Sequence, residues 1–180
     1  MTAADTLNKV FLDDPRGDFP FGHAAWIAVA FERNAYDNSR MPEWFFRGAA
    51  EYFGANGTVE WLIAGDCFKF AELPQISAQP FDWLGYHEFM LRPETYSTEY
   101  RMAAADGTCG CWADADITIF GGEPDRMSAL LASVGGPDRL LAHMRQEFLL
   151  GDVAGYGDMD LFFQGLLFPS RRKPGPASGE

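Results

Sequence analysis

Apolar positions recur along this chain at two different periods. Over residues 42–54 the spacing is helical. Phe45, Ala49, Tyr52 and Phe53 fall at i, i+4, i+7 and i+8, while Glu43, Arg47 and Glu51 share the opposite face. Pro42 suits the first turn of such a helix and Gly54 its stop. The stretch "GGEPDRMSALLASVGG" repeats the logic with Met127, Leu130, Leu131 and Val134 between Pro124 and Gly135. "PDRLLAHMRQEFLLG" does so again, with Leu140, Leu141, Met144 and Phe148 between Pro137 and Gly151. A short helix at "DTLNKVFL" and a last amphipathic element at "LFFQGLLF" complete the helical set.

Elsewhere the pattern reads as strand. "HAAWIAVAFE" reads as a buried strand, with a helix as the alternative for so Ala-rich a run. "GTVEWLIAGDCF" and "FDWLGYHEFML" are apolar on both parities, as expected of strands central in a sheet covered on two sides. "ETYSTEYRMAA" alternates cleanly. Asp106-Gly107 is the strongest hairpin signal in the chain. A two-residue turn there faces Ala104 with Cys109, Met102 with Cys111, Tyr100 with Ala113, Thr98 with Ala115 and Tyr96 with Ile117, all apolar-parity positions. The expected fold is α+β: a single domain over residues 1–168, in the order α-β-α-β-β-β-β-α-α. Its sheet is mainly antiparallel, of about five strands, with helices packed at one face. Residues 169–180 are expected to form a disordered Pro/Gly/Ser tail with a short basic run.

Composition agrees with one globular unit. The chain has 180 residues, 47% of them hydrophobic, with 16 Phe and 5 Trp to fill a core. No apolar run reaches the ~18 residues of a membrane helix. The first residues lack the basic start and apolar stretch of a secretory signal. An odd cysteine count, Cys67, Cys109 and Cys111, fits a reducing compartment, so a cytoplasmic location is expected.

Charge narrows the function. The formal net is −12. "PSRRKPGPASGE" carries +2 of that balance, leaving −14 on residues 1–168. Such a field repels phosphate backbones, which argues against nucleic acid, and attracts a basic protein partner.

The candidate chemistry is sparse. "DGTCGCWADADITIF" holds a C-x-C pair, but the expected register turns both thiols into the core beside Met and Ala, so no metal or cofactor is expected there. The opposite face of that hairpin sets Arg101 against Trp112, Glu99 against Asp114 and Ser97 against Asp116. Opposed like charges weaken a sheet. Glu99, Asp114 and Asp116, edged by Arg101 and Trp112, therefore form a candidate partner-binding strip. Trp44, off the main helical stripe, is a candidate exposed anchor. The alternative is a small hydrolytic enzyme with a carboxylate or histidine site, metal-assisted or not, drawn from His23, His87, Asp158 and Asp160. "GYHEF" places His87 beside Glu88, on opposite faces if that segment is a strand. No nucleophile elbow or phosphate loop supports an enzyme. The favoured reading is a small acidic inhibitor or binding protein. Bacterial immunity proteins, which block a cognate toxin, share this general character, an analogy of type and not of motif.

Overall fold

A computed structural model describes residues 3–12, 19–33, 41–54, 58–62, 76–91, 99–114, 116–148 and 158–172, with backbone alone over 58–62 and 76–79. In chain order the elements are α1 (Ala3–Val10), β1 (Ile27–Glu32), α2 (Glu43–Phe53), β2 (Thr58–Leu62), β3 (Ile76–Pro80), α3 (Trp83–Met90), β4 (Tyr100–Ala104), β5 (Cys109–Ala113), β6 (Ile117–Gly122), α4 (Pro124–Ser133), α5 (Pro137–Glu147) and α6 (Met159–Leu167). The class is α+β with an antiparallel sheet, ordered β1-β6-β5-β4-β2-β3. Its central part is the meander β4-β5-β6, extended by β1 on one side and by β2 and β3 on the other.

The hairpin at Asp106-Gly107 forms in the expected register. Tyr100 faces Ala113, Arg101 faces Trp112 and Met102 faces Cys111. Gly107 takes φ +72°, where a side chain would be strained, and the Asp106 carboxylate accepts from the Thr108 backbone N–H at 3.1 Å. The register ends at Ala113, however. The segment expected as one strand to residue 120 is two strands, because the chain reverses between Ala113 and Ile117. Asp114 Oδ1 accepts from the backbone N–H of Asp116 (2.8 Å) and Ile117 (2.9 Å), and Asp114 N donates to Ile117 O (3.0 Å). A short aspartate that can cap its own turn outweighs the strand pattern around it. Thr98, Tyr96, Ser97 and Ala115 lie outside the described residues. Ile117 pairs with Glu32 of β1 rather than with Tyr96.

The second correction concerns "FDWLGYHEFML", which is the helix α3. Asp82 caps it, its carboxylate accepting from Gly85 N at 2.8 Å, a contact worth about 1 kcal/mol. Tyr86, Phe89 and Met90 are buried while Leu84, Glu88 and Leu91 are exposed, so one face of a 3.6-residue period meets the core. An apolar run on both parities satisfies either period, and the N-cap decides between them. A strand not expected, β3, precedes it. Pro80 ends this edge strand, the position in a sheet that tolerates proline.

Helices cover both faces of the sheet, not one. On the first face α2 sets Phe45 and Phe53 against Phe120 of β6, ring centroids 5.5 and 5.8 Å apart. Phe46 stacks on Tyr86 of α3 at 4.3 Å, and α4 packs against α2. On the second face α1 crosses β4 and β2. Phe11 and Phe21, bridged to each other, roof this side. They come so close that the strands beneath must be glycine. A Cβ at Gly110 would lie 2.6 Å from Val10, and one at Gly121 would lie 2.5 Å from the Phe21 ring.

The free edge of β1 is blunted by α5 and by the chain end. Ala30 N–H points at Met144 Sδ (3.3 Å), and Arg172 donates to Ala24 O (2.7 Å) and Trp26 O (2.9 Å). Arg172 also lies 3.3 Å from the centre of the Phe19 ring, and burial lowers its guanidinium to about 10, still charged at neutral pH. Residues 169–172 therefore belong to the folded domain, not to a tail: a one-turn 3₁₀ helix, Pro169–Arg171, follows α6 and delivers this arginine. Residues 173–180 lie outside the described part.

Gly121→Ala is expected to destabilise the domain by about 1–3 kcal/mol, because the Phe21 ring must move. Ser128→Ala on the exposed face of α4 serves as the comparison and should change little. Urea titrations of both variants measure this; equal midpoints would show that the Phe21 roof is not a constraint.

Candidate functional site

The C-x-C pair is core, with chemistry to match. Cys109 and Cys111 are fully buried free thiols. Burial raises Cys109 well above the ordinary thiol range, with Asp106 adding to it. Burial lifts Cys111 to about 12, against a hydrogen bond from Tyr100 and the charge of Arg33, which both act to lower it. A thiol held protonated is neither nucleophile nor metal ligand at neutral pH. Cys67 lies outside the described residues. Among the described residues no group of three or more His, Cys, Asp or Glu is placed to hold a metal ion.

The expected binding strip is taken apart by the fold. Arg101 and Trp112 do face each other, but Trp112 is 1% exposed and gives its indole N–H to Glu99 (3.0 Å). Arg101 is half-buried, reaches the same Glu99 oxygen at 3.4 Å and lies 5.9 Å from the Phe11 ring centre, so its cation–π partner is Phe11 rather than Trp112. Asp114 is committed to its turn. Asp116 is exposed, with its carbonyl accepting from Arg33 N at 2.8 Å. Arg33 itself is buried; its guanidinium donates to Asp114 O and lies over the Tyr100 ring at 5.2 Å. Glu99 and Asp114 adjoin the last pair of the hairpin, Tyr100 with Ala113, and each carries an internal bond. They serve, with Arg33 and Arg101, to tie the turn and the strand ends together.

The four residues of the enzyme alternative fall in three places, with the two aspartates together at the start of α6. His23 stacks on Trp26 at 4.7 Å. His87 lies on α3, tilted against Trp83 at 5.7 Å; neighbours on a helix diverge as well, so it makes no dyad with Glu88. Asp158 caps α6, accepting from Asp160 N and Leu161 N. Asp160 pairs with Arg145 of α5 and accepts from Gln164, and the arginine holds its carboxyl below the usual range. Asp152 and the glycine-rich segment around it lie outside the described residues.

Trp44 keeps its expected place. It projects from α2 and is 45% exposed. What the sequence reading missed is its company. Its ring meets His143 of α5 edge-on at 5.6 Å, and His143 meets Phe31 of β1 at 6.2 Å. One turn along α5, Glu147 Oε1 lies 3.0 Å from His143 Nε2. Burial raises the Glu147 carboxyl above the usual carboxylate range. His143 and the backbone N–H of Glu32 act to lower it, and the Glu32 carboxylate acts to raise it. His143 Nε2 is met by Glu147 Oε1, and Glu147 Oε2 is buried with no hydrogen-bond partner among the described residues. This corner, Glu32, Trp44, His143 and Glu147, is the candidate site. The His-x-x-x-Glu spacing on α5 was the available signal, but a histidine on a helix flank does not announce which neighbouring helix it will meet.

Two expectations follow. Trp112→Phe removes the donor to Glu99 in a buried setting and should cost about 1–3 kcal/mol in denaturant titration; a stability within error of the parent would show the bond contributes nothing. Glu147 holds its proton more tightly in the folded chain than in the unfolded one. Its contribution therefore falls as pH rises through the acid range, and its cost is complete at neutral pH. Glu147→Gln should thus gain stability over the parent at about pH 7 and lose that advantage at about pH 4. Melting curves at both values test the sign, and a larger advantage in acid would contradict it.

Compared with protein-family models, with curated proteins and with solved structures, the chain matches none.

Proposed function

We propose that the chain is an acidic binding protein that engages a basic protein partner, of the inhibitor type exemplified by an immunity protein blocking a toxin. One observation carries this: among the described residues ten Asp and Glu are exposed against five Lys and Arg. Arg33, Arg101, Arg126, Arg145 and Arg172 are all bonded within the domain. Glu51, Glu88, Asp125 and Asp138 are exposed and enter no ion pair among the described residues. The net −12 of the chain is therefore expressed at its surface. Such a field speeds encounter with a basic protein and repels nucleic acid. Among the described residues no helix is long and apolar enough to cross a membrane. A partner in the cytosol fits the cysteine usage. The enzyme alternative has no convergent set to carry it: His23 stacks on Trp26, His87 lies against Trp83, and Asp158 and Asp160 are used at the start of α6.

A tagged chain used to capture proteins from lysate of the source cell, eluted by a salt gradient, tests this. The expected result is a stoichiometric basic protein released at moderate salt, with an association rate that drops at least about tenfold as salt rises. Retention of only acidic or neutral proteins, or of none at low salt, would remove the proposal.

A further inference from the structure

Arg172 fills a cradle made by parts of the chain far from it in sequence. Its three guanidinium nitrogens each donate to a different backbone carbonyl: Nη1 to Ala24 (2.7 Å), Nη2 to Trp26 (2.9 Å) and Nε to Gly165 (3.1 Å). The Phe19 ring closes the flat side, its centre 3.3 Å from Cζ. This geometry is specific to a planar cation. A guanidinium directs its N–H groups at three acceptors in fixed directions while its face lies on the ring. An ammonium offers a point charge and no stacking plane. Among the described residues no carboxylate pairs with Arg172. Shape and carbonyl dipoles hold the charge there, not a counter-ion.

The strap that delivers this arginine is lightly built. Residues 169–171 form one turn of 3₁₀ helix packed on α6, with Ser170 and Arg171 exposed. Arg171 bonds back to Gln164 of the same helix. Arg172 ties the turn to the segment before β1. The cradle also opens to solvent. Ala24 and Ala25 are exposed, and the bond from Arg172 to Ala24 lies at the surface. The path of the Arg172 side chain is therefore a way in as well as a way out.

We propose that the cradle of Phe19, Ala24, Trp26 and Gly165 is a guanidinium-binding site. Arg172 is its occupant in the free chain, and an arginine side chain of the basic partner takes its place on docking. The second step rests on the function proposed above. Exchanging one guanidinium for another conserves every bond. Arg172 holds the place in the free chain because its tether gives an effective concentration of about millimolar or higher. An arginine held by the rest of an interface has the same advantage, and the acidic surface draws it in. A free guanidinium ion has no tether and fills the cradle only once Arg172 is cut back.

Two measurements on the full chain test this. Arg172→Ala removes the side chain beyond Cβ, and ethylguanidinium supplies the missing atoms. About 50 mM ethylguanidinium chloride should raise the melting midpoint of Arg172→Ala by about 2–4 °C over ethylammonium chloride at equal concentration. The parent should show no such gain. Nor should Arg171→Ala, which loses the same charge outside the cradle. If Arg172→Ala does not fold in buffer, recovery of its native spectrum by ethylguanidinium and not by ethylammonium reads the same binding. An acetylated, amidated peptide of alternating arginine and glycine is then titrated at low salt by calorimetry. It should bind Arg172→Ala several-fold more tightly than Arg171→Ala, and the lysine counterpart should separate the two variants by less. No selective gain with ethylguanidinium overturns the site. A gain with equal peptide affinities for the two variants overturns the exchange with a partner's arginine. If neither peptide binds the parent or the variants at low salt, the acidic-binder reading falls and the exchange with it, while the melting shift still establishes the guanidinium site.

Discussion

The meander β4-β5-β6 must be buried on both faces, and the rest of the structure follows from that requirement. Every residue of β5 from Cys109 to Ala113 is buried, and so is every residue of β6. A strand in that position needs small side chains wherever aromatic rings approach from outside. Gly110 and Gly121 make room for Val10 and the Phe21 ring on one side, and Gly122 for Phe53 on the other. Cysteine is used here as a small apolar residue, and both thiols are buried in the core. The rings that fill the space, Phe11 and Phe21 on one face and Phe45, Phe53 and Phe120 on the other, then determine where α1 and α2 can lie.

Burial on both faces pushes charge to the strand ends, where it is used as fastening. Arg33 closes the β1 end onto the β5-β6 turn through its backbone and its guanidinium. Glu99 collects the Trp112 indole and Arg101 at the start of β4. Arg172 returns from the end of α6 to cover carbonyls leading into β1. Each of these replaces lost hydration with specific bonds, as buried polar groups require. Ion pairs such as Arg101–Glu99 and Arg145–Asp160 sum to zero, so the net −12 rests on the carboxylates left without a cation.

The candidate site sits where this scheme is incomplete. At the corner of α2, α5 and β1 an exposed indole meets a histidine that is paired with the Glu147 carboxylate. The edge of β1 is covered there by α5 through Met144 and Glu147. The same helix thus protects the sheet edge from other strands and carries His143 and Glu147 of the candidate site.

Much of this protein was legible in its residues taken in order. Helical spacing with Pro and Gly at the ends located α2, α4 and α5, because i, i+4 and i, i+3 neighbours are fixed by local geometry. Asp106-Gly107 set the β4-β5 register for the same reason: the turn is short, and its pairing is local. The acidic balance was likewise plain, since charge is a sum. Tertiary structure decided what local pattern could not. A run apolar on both parities, residues 81–91, became a helix through Asp82 and the packing of Tyr86, Phe89 and Met90. Asp114 and Asp116 became a turn because Arg33, distant in sequence, holds it. Trp44, His143, Glu147 and Glu32 came together from three elements whose separation along the chain hides their contact. Periodicity reports which face of an element is apolar; only packing between elements decides which charged and aromatic groups meet.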